Sequence, residues 1–104
     1  MTFEFLSTKE LEAVRGCLAF IARTPLLDGE FDTRLGISRP ELAEIIMRWP
    51  AVSGELAELA ISNTLNELLN GLDLSAAEWD QVGSTRGEVS DLHRRWLSTE
   101  GPRQ

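Results

Sequence analysis

One cysteine, Cys17, and one histidine, His93, are all that the chain holds of the residue types that most often staple, ligate metals or attack substrates. A lone cysteine forms no internal disulfide, which excludes a stapled extracellular scaffold and makes a reducing cytoplasm the expected compartment. Without a histidine pair or a Glu-x-x-His motif, a carboxylate-bridged metal centre lacks its ligands. The longest apolar run, Cys17 to Ala22, is far too short for a membrane span, and Met1-Thr2-Phe3-Glu4-Phe5 lacks the basic stretch of an export signal. No segment alternates with period two for long enough to make a strand, no internal repeat or low-complexity linker interrupts the chain, and no glycine loop is built to cradle phosphate. Cations are scarce as well: 10 Lys and Arg stand against 17 Asp and Glu, a net charge of −7. That balance counts against nucleic acid and an anionic membrane, and it favours a basic protein as partner. The excess acid lies before residue 84; the remainder is slightly basic.

What is there reads as helix. At 104 residues with 42% apolar content, one folded domain over 1–104 is the expectation. Four pairs have a Ser or Thr followed three residues later by Glu: Ser7/Glu10, Ser38/Glu41, Ser75/Glu78 and Thr85/Glu88. In each, the two side chains satisfy amides that have no partner at a helix start. Gly36, Gly71, Gly83 and Gly101 stand where left-handed residues end helices. These signals predict helices over 8–23, 29–35, 39–49, 54–70, 76–82 and 86–98. Apolar stripes support the longer ones: Leu11, Val14, Leu18 and Ile21; Leu42, Ile45, Ile46 and Trp49; Val89, Leu92, Trp96 and Leu97. The fold class is therefore all-α, a single compact bundle of five to six helices. In the segment 54–70, Ile61, Leu65, Leu68 and Leu72 line one side and Leu56 and Leu59 the other. It is expected to be the central, most buried helix, with neighbours on two faces. The terminal residues 99–104 are expected to fray.

Candidate chemistry is thin. All three asparagines, Asn63, Asn66 and Asn70, fall in the 54–70 segment at spacings of three and four, in line with Leu56 and Leu59. Asparagine is a mediocre helix former, and a buried amide without partners costs about 1–3 kcal/mol. The stripe either bonds loop carbonyls, near Asp28 to Asp32 or the Trp49-Pro50 turn, or faces a ligand or partner. Leu35-Gly36-Ile37-Ser38-Arg39 resembles the turn of helix-turn-helix DNA-binding domains, which would make 38–48 a recognition helix. Asp32 stands where that family has a small residue, and Glu41 and Glu44 oppose Arg39 and Arg48 on the face that would meet phosphates. Asp28-Gly29-Glu30-Phe31-Asp32 opens like a calcium loop but has Thr33 at its glycine position and Arg39 at its bidentate position. Cys17 and His93 both fall on apolar stripes, as a buried thiol and a core-edge imidazole would. Of Trp49, Trp79 and Trp96, Trp79 has polar neighbours and is the candidate exposed aromatic contact.

Over most of the chain, Gly29-Glu30-Phe31…Arg34-Leu35-Gly36…Arg39…Glu41-Leu42…Trp49-Pro50 and Asn63…Asn66…Leu69…Gly71 resemble short acidic bacterial all-α proteins of unassigned activity, immunity-protein-like in build. The resemblance brings no catalytic motif; it implies an immunity or antitoxin-type protein that neutralises a basic toxin. The leading expectation is thus a non-enzymatic protein-binding module with no cofactor or metal. It would dock a basic protein through Glu30, Asp32, Glu55, Glu58, Asn63, Asn66 and Trp79. The alternatives are a helix-turn-helix-like DNA regulator, in which Arg39 contacts DNA, and a small enzyme with a pocket at Asn63 and Asn66. An apolar face on the 76–82 helix could close a homodimer as readily as a core.

Overall fold

A computed structural model describes residues 6–52 and 54–100, with side chains to Leu97. Among the described residues there are six α-helices and no strand: α1 (Thr8–Arg23), α2 (Phe31–Leu35), α3 (Arg39–Arg48), α4 (Glu55–Asn66), α5 (Ala76–Val82) and α6 (Arg86–Glu100). All four anticipated capping boxes form. In each, the Ser or Thr hydroxyl accepts the backbone N–H of the following Glu, and that carboxylate accepts the cap N–H in return. Gly36 and Gly83 end α2 and α5 with φ of 72° and 89°, as left-handed terminators. The segment 99–104 lies largely outside the described residues, and Gly101 wholly so.

Three boundaries differ from the sequence expectation, each for a local reason. The second helix starts at Phe31 and not at 29, because Gly29 adopts φ 88° and Glu30 caps no amide with its side chain. A 3₁₀ turn, Pro25–Leu27, precedes it, set off by Pro25 at its start and by Leu26 N–H donating to the Thr24 hydroxyl. The 54–70 segment is α-helical only to Asn66; Glu67–Gly71 widens into a π turn, which Leu72 N–H closes on the Glu67 carbonyl. Gly71 is therefore not a left-handed terminator.

The core forms where α1, α3, α4 and α6 meet, from Val14, Leu18, Phe20, Ile21, Leu42, Ile61, Leu65, Leu68, Val89 and Trp96. Cys17 lies fully inside it. Two tryptophans tie elements together by their indole N–H: Trp49 donates to the Leu11 carbonyl at 2.8 Å, and Trp96 to the Ser62 hydroxyl at 2.6 Å. The peptide before Pro50 is cis. Arg39 pins the loop ahead of α2, donating to the Thr24 carbonyl at 2.9 Å and to Asp28 at 2.8 Å while its guanidinium lies 4.6 Å from the Phe31 ring centroid. As expected, α4 is central: α1, α2 and α6 all pack against it. Among the described residues no helix covers the side carrying Leu56 and Leu59 fully, and both leucines stay nearly half exposed, at 45% and 44%.

At Gly16, α1 crosses α5 so closely that a Cβ would lie 2.6 Å from the Val82 carbonyl oxygen, a backbone atom with little room to yield. At Gly87, near the start of α6, a Cβ would meet only the Thr85 hydroxyl, at 3.9 Å. Helix propensity favours alanine by about 1 kcal/mol at either site. Gly87→Ala is therefore expected to be neutral or stabilising in urea unfolding, and Gly16→Ala to lower stability by about 1–3 kcal/mol. Equal midpoint shifts for the two would show that α1 and α5 do not meet as described.

Candidate functional site

The asparagine row sets out the site. Ser62 and Asn63, adjacent on α4, point about 100° apart around its axis. Ser62 receives the Trp96 N–H from α6, and Asn63 Nδ2 donates to the Leu35 carbonyl of α2 at 2.8 Å. Leu59 and Asn66 point between these two directions, so the row Glu55, Leu59, Asn66 runs along a valley with α2 on one side and α6 on the other. Asn70 extends it, donating to Asn66 Oδ1 at 3.0 Å. Asn66 and Asn70 are exposed, and from Glu55 to Asn70 the row is about 20 Å long. Leu59 leans against Gly36, where a Cβ would come within 3.0 Å of it.

One wall of the valley is held by a contact the sequence did not announce. Glu67, 8% exposed, is buried beside Arg34, which donates through Nη2 at 2.5 Å and through Nε at 3.2 Å. The same guanidinium reaches the Gly71 carbonyl at 3.2 Å and Glu30 at 3.4 Å. The Glu67 carboxylate, followed by Glu30, raises the Arg34 pKa still further above its ordinary value. A Cβ on Gly71 would lie 2.0 Å from Glu67 Oε1 and 2.8 Å from Arg34 Nη2, so a side chain at residue 71 would force the ends of those two side chains to shift from their present contact. Deeper in α4, the buried Thr64 hydroxyl has no partner.

The expected site residues fall into three groups. Glu30 and Asn63 lie where α2 meets α4, with Asn66 one turn further along α4; Asn63 donates to the carbonyl of Leu35, the last residue of α2, and not to the loop carbonyls near Asp28–Asp32 or the Trp49-Pro50 turn that one reading of the stripe named, and Glu30 belongs to the Arg34 contact. Glu55 and Glu58 occupy the first turn of α4, where Gly54 provides no side-chain cap and acidic residues favour the helix start. Asp32 is exposed on α2; among the described residues it and the two glutamates have no cationic partner. Trp79 stands apart. It is half-buried on α5, which packs on α1, and it lines an open groove of about 540 Å³ with Ala76, Asp80 and Arg86. A second open groove, of about 610 Å³, runs between α1 and the α5–α6 turn, with Lys9, Arg15, Glu12 and Asp91 on its rims. Neither groove is lined by an asparagine.

The remaining candidates have structural partners. Arg39 is held by Thr24, Asp28 and Phe31, and Arg48 pairs with Glu44 at 3.4 Å, so both cations of the would-be recognition helix are engaged within the molecule. The carboxylates of the calcium-like turn meet arginines: Asp28 with Arg39, Glu30 with Arg34. Among the described residues no group of three His, Cys, Asp or Glu is placed to hold a metal ion. Burial pushes the Cys17 thiol up to about 12, far from a reactive thiolate, and holds the His93 imidazole below its ordinary range. No described helix is long and apolar enough to cross a membrane.

The close fit around Gly71 makes a coupled prediction. Gly71→Ala is expected to destabilise the chain by about 1–3 kcal/mol through overpacking. In a Glu67→Ala background, where the crowding atom is gone, most of that loss should vanish, giving a coupling energy of about 1 kcal/mol or more in a double-mutant cycle. Additive losses would mean that Gly71 is required for a reason unrelated to the Arg34–Glu67 pair. No family model, no curated protein and no solved structure matches this chain, so a functional reading rests on the geometry of the valley itself.

Proposed function

We propose that the chain is a non-enzymatic protein-binding module of the reducing cytoplasm, which neutralises or regulates a basic protein by docking it on α4, in the manner of an immunity or antitoxin protein. The observation that carries this reading is the first two turns of α4. There Leu56 and Leu59, each nearly half exposed, are interleaved with Glu55 and Glu58, and neither carboxylate has a cation of its own.

The distribution of charge over the molecule supports it. Arg34, Arg39, Arg48, Arg94 and Arg95 are all engaged with carboxylates, and Arg23 and Arg86 donate to the Gln81 and Leu69 carbonyls. Among the described residues only Lys9 and Arg15 lack such a partner, and both lie on the groove between α1 and the α5–α6 turn. The chain's net charge of −7 is thus presented by carboxylates such as Asp32, Glu55 and Glu58, with no cation beside them to cancel their field. Such a field speeds encounter with a basic surface and orients it, while apolar contact supplies most of the affinity. Leu56 and Leu59 provide that contact beside two of the unpaired carboxylates, Glu55 and Glu58.

Glu30 belongs to the Arg34 contact, so reversing its charge would disturb the fold as well as the surface; Asp32, Glu55 and Glu58 are the positions to change. The immobilised chain, exposed to a lysate of its source cells at low salt, is expected to retain one basic protein in near-equal amount and to release it at high salt. The Asp32→Lys/Glu55→Lys/Glu58→Lys variant should slow association by roughly 10–100-fold at low salt and flatten the salt dependence. Equal retention by both forms, or recovery of nucleic acid alone, would overturn the reading.

A further inference from the structure

Trp79 is the tryptophan whose polar handle the fold does not use. The indole N–H groups of Trp49 and Trp96 donate to the Leu11 carbonyl and the Ser62 hydroxyl, whereas that of Trp79 donates to no described residue and is open to solvent. Its ring is half-buried against the core and borders the groove of about 540 Å³ in the corner where α5 turns into α6. A tryptophan with its body packed and its N–H wet is the form in which this residue serves contacts between chains. Two carboxylates flank the same groove. Asp80 follows Trp79 on α5 and is exposed; Glu88, also exposed, is held on the first turn of α6 by the capping box, in which it accepts the Thr85 N–H at 2.9 Å. Among the described residues neither has a cationic partner. The one cation that lines the groove, Arg86, donates to the Leu69 carbonyl at 2.8 Å and pairs with neither carboxylate. Ala76 and Gly83, which also line it, add nothing larger than a methyl group.

Resting on the reading of the chain as a module for a basic protein, we propose that this groove is a second contact for that partner and takes one of its lysine or arginine side chains. Such a residue in a polypeptide has three parts, an aliphatic stem, a cationic head and a backbone carbonyl beside them, and the groove has a counterpart for each. The indole and Ala76 meet the stem, since long basic side chains lay their methylenes on apolar surface. Asp80 and Glu88 receive the head, which the face of an indole ring also attracts when the cation comes within about 6 Å of it. The indole N–H is left to donate to the carbonyl. A free amine has no carbonyl to offer, and an anion would be repelled by both carboxylates, so the occupant that uses all three features is a basic residue within a chain. None of the α4 residues takes part, so this contact and the docking on α4 stand or fall separately.

The test follows the indole N–H signals of the isotope-labelled full chain by nuclear magnetic resonance while blocked tripeptides are added at millimolar concentration. Each has glycine on either side of lysine, arginine or norleucine, the last of which keeps the stem and lacks the charge. The Trp79 signal is expected to shift with the lysine and arginine peptides and far less with norleucine, while those of Trp49 and Trp96, held by Leu11 and Ser62, stay in place. Asp80→Asn/Glu88→Gln, in which glutamine keeps the cap on α6, should weaken binding of the lysine peptide by roughly threefold or more at low salt with an unchanged circular dichroism spectrum. Trp79→Phe, which keeps a ring and removes the N–H, should weaken it as well, read from the Ala76 and Ser84 amides. No shift at Trp79, equal shifts with norleucine, or undiminished binding by Asp80→Asn/Glu88→Gln would overturn the groove contact while leaving docking on α4 standing. A response to n-butylammonium as strong as that to the lysine peptide would make the groove a site for free amines and overturn the residue within a chain. If the groove behaves as stated and the Asp32→Lys/Glu55→Lys/Glu58→Lys chain still retains its partner equally, the α4 reading falls and the groove contact stands.

Discussion

Glu67 can be buried only because Arg34 reaches it, and much of the molecule's functional shape depends on that contact. A carboxylate withdrawn from water without a cation and hydrogen-bond donors costs several kcal/mol; two guanidinium N–H groups aimed at it remove most of that cost. Such a pair adds little net stability compared with apolar side chains of the same volume, whereas removing one partner is costly. Its value here is positional. Helix α2 has five residues, too few to persist alone, and it stays on α4 through Arg34, through the Leu35 carbonyl held by Asn63, and through Phe31 and Leu35 in the core. Because the guanidinium also takes the Gly71 carbonyl, the same contact shapes the π turn that ends α4. Arg34 thus links the wall of the valley to the end of its floor, beside the Asn63 bond and the core contacts of Phe31 and Leu35.

Charge is divided along similar lines. Nearly every described arginine is spent on an internal carboxylate or carbonyl, so the cations work as fasteners and the surplus acids are left outward. A chain that used its few cations at the surface would present a weaker field for the same composition. Of the two cations on the would-be recognition helix, Arg39 is held by Thr24, Asp28 and Phe31, whereas Arg48 makes only an exposed i,i+4 pair with Glu44.

The helices were largely legible in the sequence because their signals are local. A Ser with a Glu three residues later satisfies amides within a single turn, whatever surrounds it, and Gly36 and Gly83 take backbone angles that other residues avoid. The π turn, the role of Gly71 and the Arg34–Glu67 pair were not legible. The pair joins atoms 33 residues apart, which no periodicity records, and the π turn and Gly71 are crowded by that same carboxylate. Gly71 shows the ambiguity well: a glycine after an apolar segment looks like a left-handed terminator, and only the carboxylate packed against its α-carbon shows that small size, not φ, is what the position demands. Asn63 was legible as a side chain needing a carbonyl, but which carbonyl was settled by the packing of α2. Trp79 was singled out for its polar neighbours in sequence, and it is half-buried because α5 turns that indole toward α1 and the core.

The uncovered row on α4 lies between these two kinds of information. Sequence gives Leu56, Leu59 and the asparagines one side of a helix, and from the leucines alone that side should be buried. Among the described residues α1, α2 and α6 pack against α4, and the acidic residues beside the leucines make a further internal neighbour costly, since its closure would desolvate Glu55 and Glu58, which have no described cation to receive them. A surface that brought its own cations would remove that cost while still burying the leucines. In the proposed reading, a basic partner that covered these leucines would supply the cations that Glu55 and Glu58 lack among the described residues.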